Sequence, residues 1–466
     1  MVIDNEKLTK SDFYVIMLHD RSVIIMIRSK EELKSRDIYL NQLIAFQDTE
    51  PVKVVTGIRR CGKSSLLKLM RKHLLDTGVS PKQIISMNFE SMEYRDMDVK
   101  AFYTYVKERV LSDKRMYLFF DELQRIDQWE DAVNSFRVDF DCDIYITGSN
   151  AYLLSSEYST YLSGRYVEIK MLPLSFKEFL DFHGYKVREK KSPTGELKKR
   201  AYESDGELVD WEDLYEAFLH YGGMPGIADV GLVQDRVLAL LDGVYSTVVM
   251  RDILEREKRR GQRRITDAIL LRKIILFLAD NIGSNTSLNS ISNTLVSGKM
   301  LEDRVKQGKP ANQTISAYVG ALMESYMFYE IKRFDIKGKE ELKTLGKYYI
   351  VDIGLRNYLL GYRDVDTGHI LENIVYFELL RRGYDVAIGK IDNKEIDFIA
   401  TKDDEKIYYQ VTEDMTSEKT RERELAPLKL VPDNYEKVVL VMRTDSTASV
   451  DGIKIRRVFD FLLEDN

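Results

Sequence analysis

A glycine-rich segment followed by a lysine and two serines is the stretch of this sequence best suited to chemistry. It fits the pattern glycine, four residues, glycine, lysine, then serine or threonine, which is typical of a phosphate-binding P-loop. The positions assigned to it are Gly57, Ile58, Arg59, Arg60, Cys61, Gly62, Lys63, Ser64 and Ser65. Glycines let backbone N–H groups surround phosphate oxygens, and the positive end of a following helix adds attraction. The motif therefore predicts a site for ATP and Mg²⁺.

Individual residues of this motif have different expected roles. Lys63 is expected to reach the β- and γ-phosphates, and the Ser64 hydroxyl to bind Mg²⁺. Arg59 and Arg60 either take part in the site or are simply solvated. Cys61 is expected to be a small residue that faces away from the ligand.

An acidic pair follows a second apolar run, "MYLFFDELQ". Asp121 would lie at the carboxyl end of a buried strand, where open α/β sheets bind ligands, and would hold Mg²⁺ or one of its waters. Glu122 is placed to polarise the attacking water as a general base. The alternative is a helix cap after a buried strand, and the P-loop upstream favours the functional interpretation.

Two further polar positions are candidates for the same site. The strand-like run "IYITGSN" ends in Ser149 and Asn150, one of which would sense the γ-phosphate or orient water; Asn150 is the candidate, but the sequence does not separate the two. Arg165 in "LSGRY" could stabilise transition-state charge in its own site or in that of a neighbouring subunit. A structural ion pair is an equal alternative for Arg165.

The elements that must position these residues alternate between short apolar runs and helix-like segments. This alternation predicts an α/β fold whose parallel sheet is covered on both faces. Later segments are mostly helical, then resemble three helices with a hairpin, then a second α/β unit. The expected divisions are 1–35, an N-terminal extension; 36–173, the P-loop core; 174–265, a helical lid with a charged insertion expected to be an exposed loop; 266–360, a winged helix; and 361–466, a C-terminal α/β domain.

The composition limits the classes of function. The chain has 466 residues, of which 44% are hydrophobic and 31% charged, as in soluble globular proteins. A net charge of −6 gives no overall attraction to nucleic acid or membranes. Two cysteines suit a reducing cytoplasm rather than a disulfide framework, and no apolar stretch is long enough to span a bilayer. A cytoplasmic protein without membrane contact is expected.

Five stretches together resemble a known family. They are "GIRRCGKSSLL", "FFDELQ", "ITGSNAYLLS", "LSGRYVEIKMLPLSFKEF" and "YGGMPG". They are similar to prokaryotic AAA-type P-loop ATPases that carry a C-terminal domain of unknown function with a nuclease-like fold. The resemblance covers about residues 36–420 and implies an ATP-binding module, a helical lid, a winged helix and a restriction-endonuclease-like α/β end, either degenerate or active.

The C-terminal segment matches a nuclease pattern only in part. In the PD-(D/E)xK fold, a helix Glu, a strand Asp and a Glu-x-Lys gather around Mg²⁺. This sequence offers Glu372 and Asp397, but Gln410 and Thr412 stand where the Glu-x-Lys belongs. Threonine cannot carry the charge of lysine, so cleavage is expected to be lost and a binding or assembly role retained. Glu372 and Asp397 acting only as caps or ion pairs is the remaining alternative.

Two segments bear on partners. The basic run 255–264 could contact DNA phosphates, although such runs are usually solvated helix ends. The segment "NQTISAYVGALMESYMFYEIKRF" has the form of a recognition helix leading to a wing, a shape used for both DNA and protein contacts.

The sequence favours an Mg²⁺-dependent ATPase switch whose C-terminal domains bind DNA or a protein partner. Two alternatives are an ATP-regulated DNA nuclease and a nucleotide-bound scaffold with negligible turnover. A homo-oligomer with shared sites, to which Arg165 would contribute, is also compatible with the motifs.

Overall fold

The computed structural model describes most of the chain. The described residues are 13–14, 27–28, 33–149, 164–191, 197–203, 206–255, 265, 267–297, 310–363, 367–445 and 449–464. Asn150 and nearly all of the basic run 255–264 lie outside them, so the expectations for those residues stay predictions. No helix within these ranges is long and apolar enough to cross a membrane.

Five parallel strands form the sheet of the N-terminal half. They are β3 (Val52–Thr56), β4 (Ile84–Asn88), β5 (Met116–Asp121), β6 (Cys142–Gly148) and β7 (Tyr166–Lys170), after a small antiparallel pair, β1 (Phe13–Tyr14) and β2 (Ile27–Arg28). Their order is β4-β5-β6-β3-β7, and every neighbouring pair is parallel. Val54 and Val55 belong to different hydrophobic clusters because successive side chains of a strand point to opposite faces. The predicted parallel sheet with two covered faces is confirmed.

Among the residues that the structure describes, four helices cover this sheet. They are α1 (Asp37–Ala45), α2 (Lys63–Asp76), α3 (Val99–Lys107) and α4 (Trp129–Asp139). Buried residues of α1 and α2 join the cluster on one face, and those of α3 and α4 join the cluster on the other. In α3 the buried residues Phe102 and Val106 are four apart, which places both on the same side of the helix.

The lid region is helical, with a small sheet inserted into it. Its elements are α5 (Phe176–Phe182), β8 (Lys186–Lys191), β9 (Leu197–Tyr202), β10 (Leu208–Val209), α6 (Trp211–Tyr221), α7 (Gly226–Val230), α8 (Gln234–Thr247) and a π-helical turn, Val248–Glu255. The charged insertion was expected to be an exposed loop, and this expectation is wrong: β8, β9 and β10 pair antiparallel. The strands hold because Val187 lies opposite Ala201, which is buried in the main core, while charged side chains cover the outer face.

In the described part of the chain, three helices and a hairpin follow the lid. They are α9 (Ala268–Asp280), α10 (Leu288–Ser297), α11 (Asn312–Glu324), β11 (Phe328–Asp335) and β12 (Glu340–Ile350), with α12 (Ile353–Leu360) after them. Thr286, between α9 and α10, forms an isolated antiparallel bridge to Gly346 of β12. The buried side chains of α11 include Ile315 and Tyr318, so this face of the helix serves the core.

The hairpin also belongs to the C-terminal sheet. That sheet has the order β12-β11-β13-β14-β15-β16-β17, and β11 pairs in parallel with β13 through Arg333 and Ile388. Its other elements are α13 (Thr367–Arg381), β13 (Asp385–Ile391), β14 (Lys394–Lys402), β15 (Glu405–Asp414), α14 (Glu418–Leu430), β16 (Glu436–Arg443), β17 (Lys454–Arg457) and α15 (Val458–Leu462). One sheet therefore crosses the boundary that the sequence placed at residue 360.

Buried charges connect the two halves of the chain. Arg36 donates to the carbonyl oxygen of Cys61 in the P-loop at 3.1 Å and to both carboxylate oxygens of Glu178 at 2.7 and 2.8 Å. Arg36 and Arg381 both donate to the carbonyl oxygen of Pro173, and the Nε of Arg381 lies 3.9 Å from Glu178. The P-loop, α5 and α13 are thus held by a single network of buried polar groups.

Candidate functional site

The P-loop turns sharply between β3 and α2 because its glycines adopt conformations that other residues avoid. Gly57 has a φ of 139° and Gly62, at the amino end of α2, a φ of 106°. A Cβ atom at Gly57 would lie 2.1 Å from the carbonyl oxygen of Met171, so no other residue fits there. Cys61 is buried under the loop, with its Sγ 3.5 Å from the same carbonyl oxygen. Cys61 therefore faces the core.

Lys63 folds back over the loop. Its Nζ donates to the carbonyl oxygens of Gly57 at 2.8 Å and Ile58 at 3.0 Å. Only 5% of the Lys63 residue is exposed, so its ammonium group lies within the curve of the loop. Phosphate oxygens entering that curve would offer the ammonium group a stronger, charge-assisted partner than a carbonyl oxygen.

A cavity of about 860 Å³ opens over the P-loop. Lys63, Ser64 and Glu122 line its floor. Its other walls come from the chain before α1, from α5 and from the lid, with Lys34, Phe182, Met224, Pro225, Thr247 and Arg251 among the lining residues. This volume lies within the range of small-ligand pockets and is ample for a nucleotide.

Asp121 is the last residue of β5. Its Oδ1 accepts a hydrogen bond from the Thr147 hydroxyl at 2.5 Å, and its Oδ2 accepts one from the Asn88 amide at 3.0 Å. Both donors stand on the neighbouring strands β4 and β6. The Asp121 side chain does not itself line the cavity, whereas that of the next residue, Glu122, does.

Glu122 projects into the cavity from a left-handed backbone position, with φ of 56°. Its N–H donates to the Thr147 hydroxyl at 3.0 Å. Its Oε2 accepts hydrogen bonds from Gln124 at 2.7 Å and Ser149 at 3.3 Å, and an Arg59 nitrogen lies 3.5 Å away. Thr147 thus fixes both residues of the acidic pair.

The predicted residues are not all at this site. Ser149 contacts Glu122, whereas Asn150 lies outside the described residues. Arg165 precedes β7, and β7 runs parallel to β3 with Tyr166 opposite Val52. Arg165 is therefore exposed at the amino edge of the sheet, about 15 Å or more from the P-loop edge. This position does not favour a role for Arg165 in its own site, because parallel strands bring their carboxyl ends to the ligand, and its role in either its own or a neighbouring site stays a prediction.

Three residues at the site were missed by sequence reasoning. Asn88 ends a strand as Asp121 does, and Thr147 lies two residues before Ser149 on one strand face, so both carried a readable signal. Asp252 carried none. It lies 193 residues from Arg59 in the chain, yet accepts hydrogen bonds from the Arg59 Nε at 2.9 and 3.0 Å. Arg59 is thus paired and largely buried rather than solvated.

A second cavity, of about 560 Å³, lies on the C-terminal sheet. The three predicted residues Glu372, Asp397 and Gln410 all line it. Asp397 accepts a hydrogen bond from the N–H of Val411 at 2.8 Å. The Gln410 Oε1 is buried and has no hydrogen-bond partner among the described residues. The described residues contain no group of three His, Cys, Asp or Glu side chains arranged to hold a metal ion.

A lysine from another strand supplies positive charge beside this cavity. The Nζ of Lys347, on β12, lies 3.2 Å from Glu372 and 2.8 Å from Glu395. Burial opposes its ionisation, but the carboxylates of Glu372, Asp397 and Glu395 outweigh burial and raise the pKa of Lys347. Burial, with the nearby Glu372, raises the pKa of Asp397 well above its usual value. Lys347 therefore brings charge that Thr412 does not.

Comparison with known proteins gives matches along most of the chain. The model of an AAA domain matches residues 49–180, and that of a domain of unknown function (DUF8612) matches residues 212–366. An uncharacterized protein of Haemophilus influenzae is 42% identical over 434 residues, covering 92% of this chain and 98% of its own. An uncharacterized protein of Methanocaldococcus jannaschii is 28% identical over 428 residues, covering 90% and 85%.

Solved structures with similar folds are more distant. The Walker-type ATPase PABY2304 of Pyrococcus abyssi is 17% identical, with a TM-score of 0.43 over 70% of this chain and 95% of its own. The Orc1 protein of Aeropyrum pernix in complex with DNA is 13% identical, with a TM-score of 0.29 over 71% and 94%. Scores this low support no functional comparison. The AAA-domain match over the P-loop sheet, the adjoining domain of unknown function and the relative at 42% identity place this chain in the family of prokaryotic AAA-type P-loop ATPases that carry a domain of unknown function.

Proposed function

We propose that this protein hydrolyses ATP in an Mg²⁺-dependent manner and acts as a nucleotide-driven switch. The observation that carries the proposal is the meeting of Lys63, Ser64 and Glu122 on one cavity, with Asp121 next to Glu122 at the end of β5. Phosphate-binding donors, a hydroxyl ligand and a carboxylate base are the parts that phosphoryl transfer to water requires.

Each residue has a defined task in this reaction. Backbone N–H groups of the P-loop and Lys63 bind the phosphates and offset their charge. Ser64 and Asp121 would hold Mg²⁺, and the cation would supply neutralising charge on the phosphate oxygens. Glu122 orients the attacking water and accepts its proton. Ser149 positions Glu122 through their hydrogen bond.

The origin of the cavity walls supports the proposal of a nucleotide-driven switch. The lid contributes Met224 and Thr247 to the cavity, so binding and release of nucleotide would move the lid against the sheet. The network of Arg36, Glu178 and Arg381 connects the P-loop to α13 of the C-terminal half. We infer that nucleotide state controls how the C-terminal half binds DNA or a protein in the cytoplasm. The order of α9, α10, α11 and the hairpin, with the Thr286 bridge, supports a winged-helix unit there.

The test is phosphate release by the purified full chain, with ATP and with or without duplex DNA. Release should require Mg²⁺, stop when EDTA is added, and change in rate when the correct partner is present. An intact protein that binds ATP and Mg²⁺ without releasing phosphate under any of these conditions would favour a scaffold.

A second candidate function is ATP-regulated cleavage of phosphodiester bonds at the C-terminal cavity. It is favoured by the joint presence there of Glu372, Asp397 and Gln410, with Lys347 adjacent to supply a cation. Plasmid nicking in Mg²⁺ or Mn²⁺, with and without ATP, tests it. Asp397→Asn should remove the nicking, whereas Asp433→Asn, a change outside the cavity, should leave it unchanged. No nicking by the wild-type chain would leave a binding role.

A further inference from the structure

Arg59 is the centre of a cluster of carboxylates beside the nucleotide cavity. Its Nε donates to both oxygens of Asp252, at 2.9 and 3.0 Å, and one of its terminal nitrogens donates to Glu90 at 3.1 Å. The other terminal nitrogen lies 3.5 Å from Glu122. Burial opposes ionisation of the guanidinium, but Asp252 and Glu122 outweigh burial and raise the pKa of Arg59. Arg59 is therefore a fixed cation.

Asp252 reaches this cluster from the lid. It lies in the π-helical turn Val248–Glu255 that continues α8, and only 7% of the residue is exposed. π-Helical turns are rare and occur often at functional sites, because the extra residue re-aims side chains. Here the turn directs a lid carboxylate at an arginine of the P-loop. The Arg59–Asp252 contact thus joins the lid to the loop next to Glu122.

The cluster also determines which oxygen of Glu122 is available. Its Oε2 faces Gln124, Ser149 and Arg59. Within the described part of the chain, Oε1 accepts no hydrogen bond. A carboxylate held by donors on one oxygen presents the other to a water in a set direction. The planar guanidinium, with its fixed fork of donors, can hold Asp252 and face Glu122 at once, which a lysine cannot.

We propose that Arg59 is a positioning residue for Glu122, that Asp252 fixes Arg59, and that the lid thereby controls the orientation of the general base. This inference rests on the proposed ATPase function and adds regulation to it. When the lid holds Asp252 against Arg59, the Glu122 carboxylate is oriented for proton transfer. When the lid withdraws, Arg59 loses its two hydrogen bonds to Asp252 and keeps only the one to Glu90, so it is no longer fixed against Glu122.

The experiment measures kcat, KM and nucleotide affinity for Arg59→Lys, Asp252→Asn and the double variant. Each single variant should lower kcat about tenfold or more, while KM and the affinity for a fluorescent ATP analogue stay within about threefold. The double variant should be no slower than the slower single variant, because both changes break one unit. Arg125→Lys is the matched control: it pairs with Glu90 as Arg59 does but does not face Glu122, and it should keep wild-type kcat.

Several outcomes would overturn the inference. A loss of nucleotide affinity that accounts for the loss of activity would make Arg59 a phosphate ligand instead. A drop in thermal stability with unchanged kcat in the folded enzyme would make the cluster structural, and additive losses in the double variant would separate Arg59 from Asp252. If wild-type protein binds ATP and Mg²⁺ but does not turn over, the ATPase proposal fails first and takes this inference with it.

Discussion

The nucleotide cavity and the C-terminal cavity are built from the chain in opposite ways. The nucleotide cavity takes its phosphate-binding groups from one continuous segment, 57–65, completed by the end of β5. The C-terminal cavity takes Glu372 from α13, Asp397 from β14 and Gln410 from β15, and its nearby cation from β12. Hydrogen-bond donors are the main polar groups of the first site, and carboxylates are the main polar groups of the second. A site formed by one turn of the chain can therefore be recognised in a sequence. A site assembled from several strands of a sheet can be recognised only once the fold is known.

The largest expected effect is on ATP binding, which should depend on the nucleotide cavity and not on the C-terminal cavity. Lys63→Ala should weaken ATP binding by about 100-fold or more, because the only P-loop ammonium group is lost. A titration with a fluorescent ATP analogue measures this. Glu372→Gln, in the other cavity, should bind ATP as the wild type does. Weakened binding in both variants would mean that the cavities are energetically coupled.

ATP turnover should also depend on the nucleotide cavity and not on the C-terminal cavity. Glu122→Gln should slow phosphate release by about 100-fold with little change in ATP affinity, because the amide cannot accept the proton from water. Glu108→Gln, at an exposed position, serves as the control. Normal turnover in Glu122→Gln would remove Glu122 from its role as base.

A substitution beside the C-terminal cavity should instead lower the stability of the folded protein. Lys347→Met should lower the free energy of unfolding by about 3 kcal/mol, because Glu372 and Glu395 lose a buried partner. Urea unfolding monitored by hydrogen exchange in β12 measures the loss. Lys332→Met, in the same hairpin, should have a much smaller effect, because both Lys332 and its partner Glu341 are exposed. Equal costs would show that the buried pairs contribute no more than surface ones.

A smaller effect tests how the acidic pair is held. Thr147→Val keeps the shape of the side chain but removes its hydrogen bonds to Asp121 and Glu122. Phosphate release should fall about tenfold, and more Mg²⁺ should be needed for half-maximal rate. Thr49→Val, at a half-buried turn position that does not line the cavity, is the control. An unchanged Mg²⁺ requirement would contradict the bridging role of Thr147.

The smallest expected effect concerns pH at the flank of the nucleotide cavity. Burial lowers the pKa of His183 to about 4, from about 6.5 when unfolded. Protonation therefore favours the unfolded chain, so stability present above pH 6.5 is lost as pH falls towards 4. Between pH 7 and 5 the wild type should lose about 1 kcal/mol more than His183→Phe, allowing for partial exposure. Parallel pH curves would contradict this.

The sequence was most informative where structure is local. The P-loop, the acidic pair and four of the five parallel strands were predictable because glycine spacing and apolar runs act over a few residues. The strand that follows Arg165, β7, was not among the predicted runs, so the edge of the sheet at which Arg165 lies was not predicted either. The small lid sheet was not, because Val187 and Ala201 are too few to mark a strand pattern among charged residues.

Contacts between distant segments were beyond sequence reasoning. Asp252 meets Arg59 and Lys347 meets Glu372 only because the lid and the hairpin fold back on other elements. Nothing in the immediate neighbourhood of either residue distinguishes it from other charged positions. Local sequence patterns therefore did not identify Asp252 or Lys347, although each contacts a residue of a candidate site.

The sheet that crosses residue 360 limits how this protein can be divided. A fragment shortened after Leu360 would lose β13, and the edge of β11 would be exposed to solvent. Unprotected edges recruit strands from other molecules, so such a fragment should aggregate. It would also leave Glu178 without Arg381. Recombinant production of the ATP-binding half alone is therefore an unsuitable route to its biochemistry, and the intact polypeptide is the smallest sound preparation.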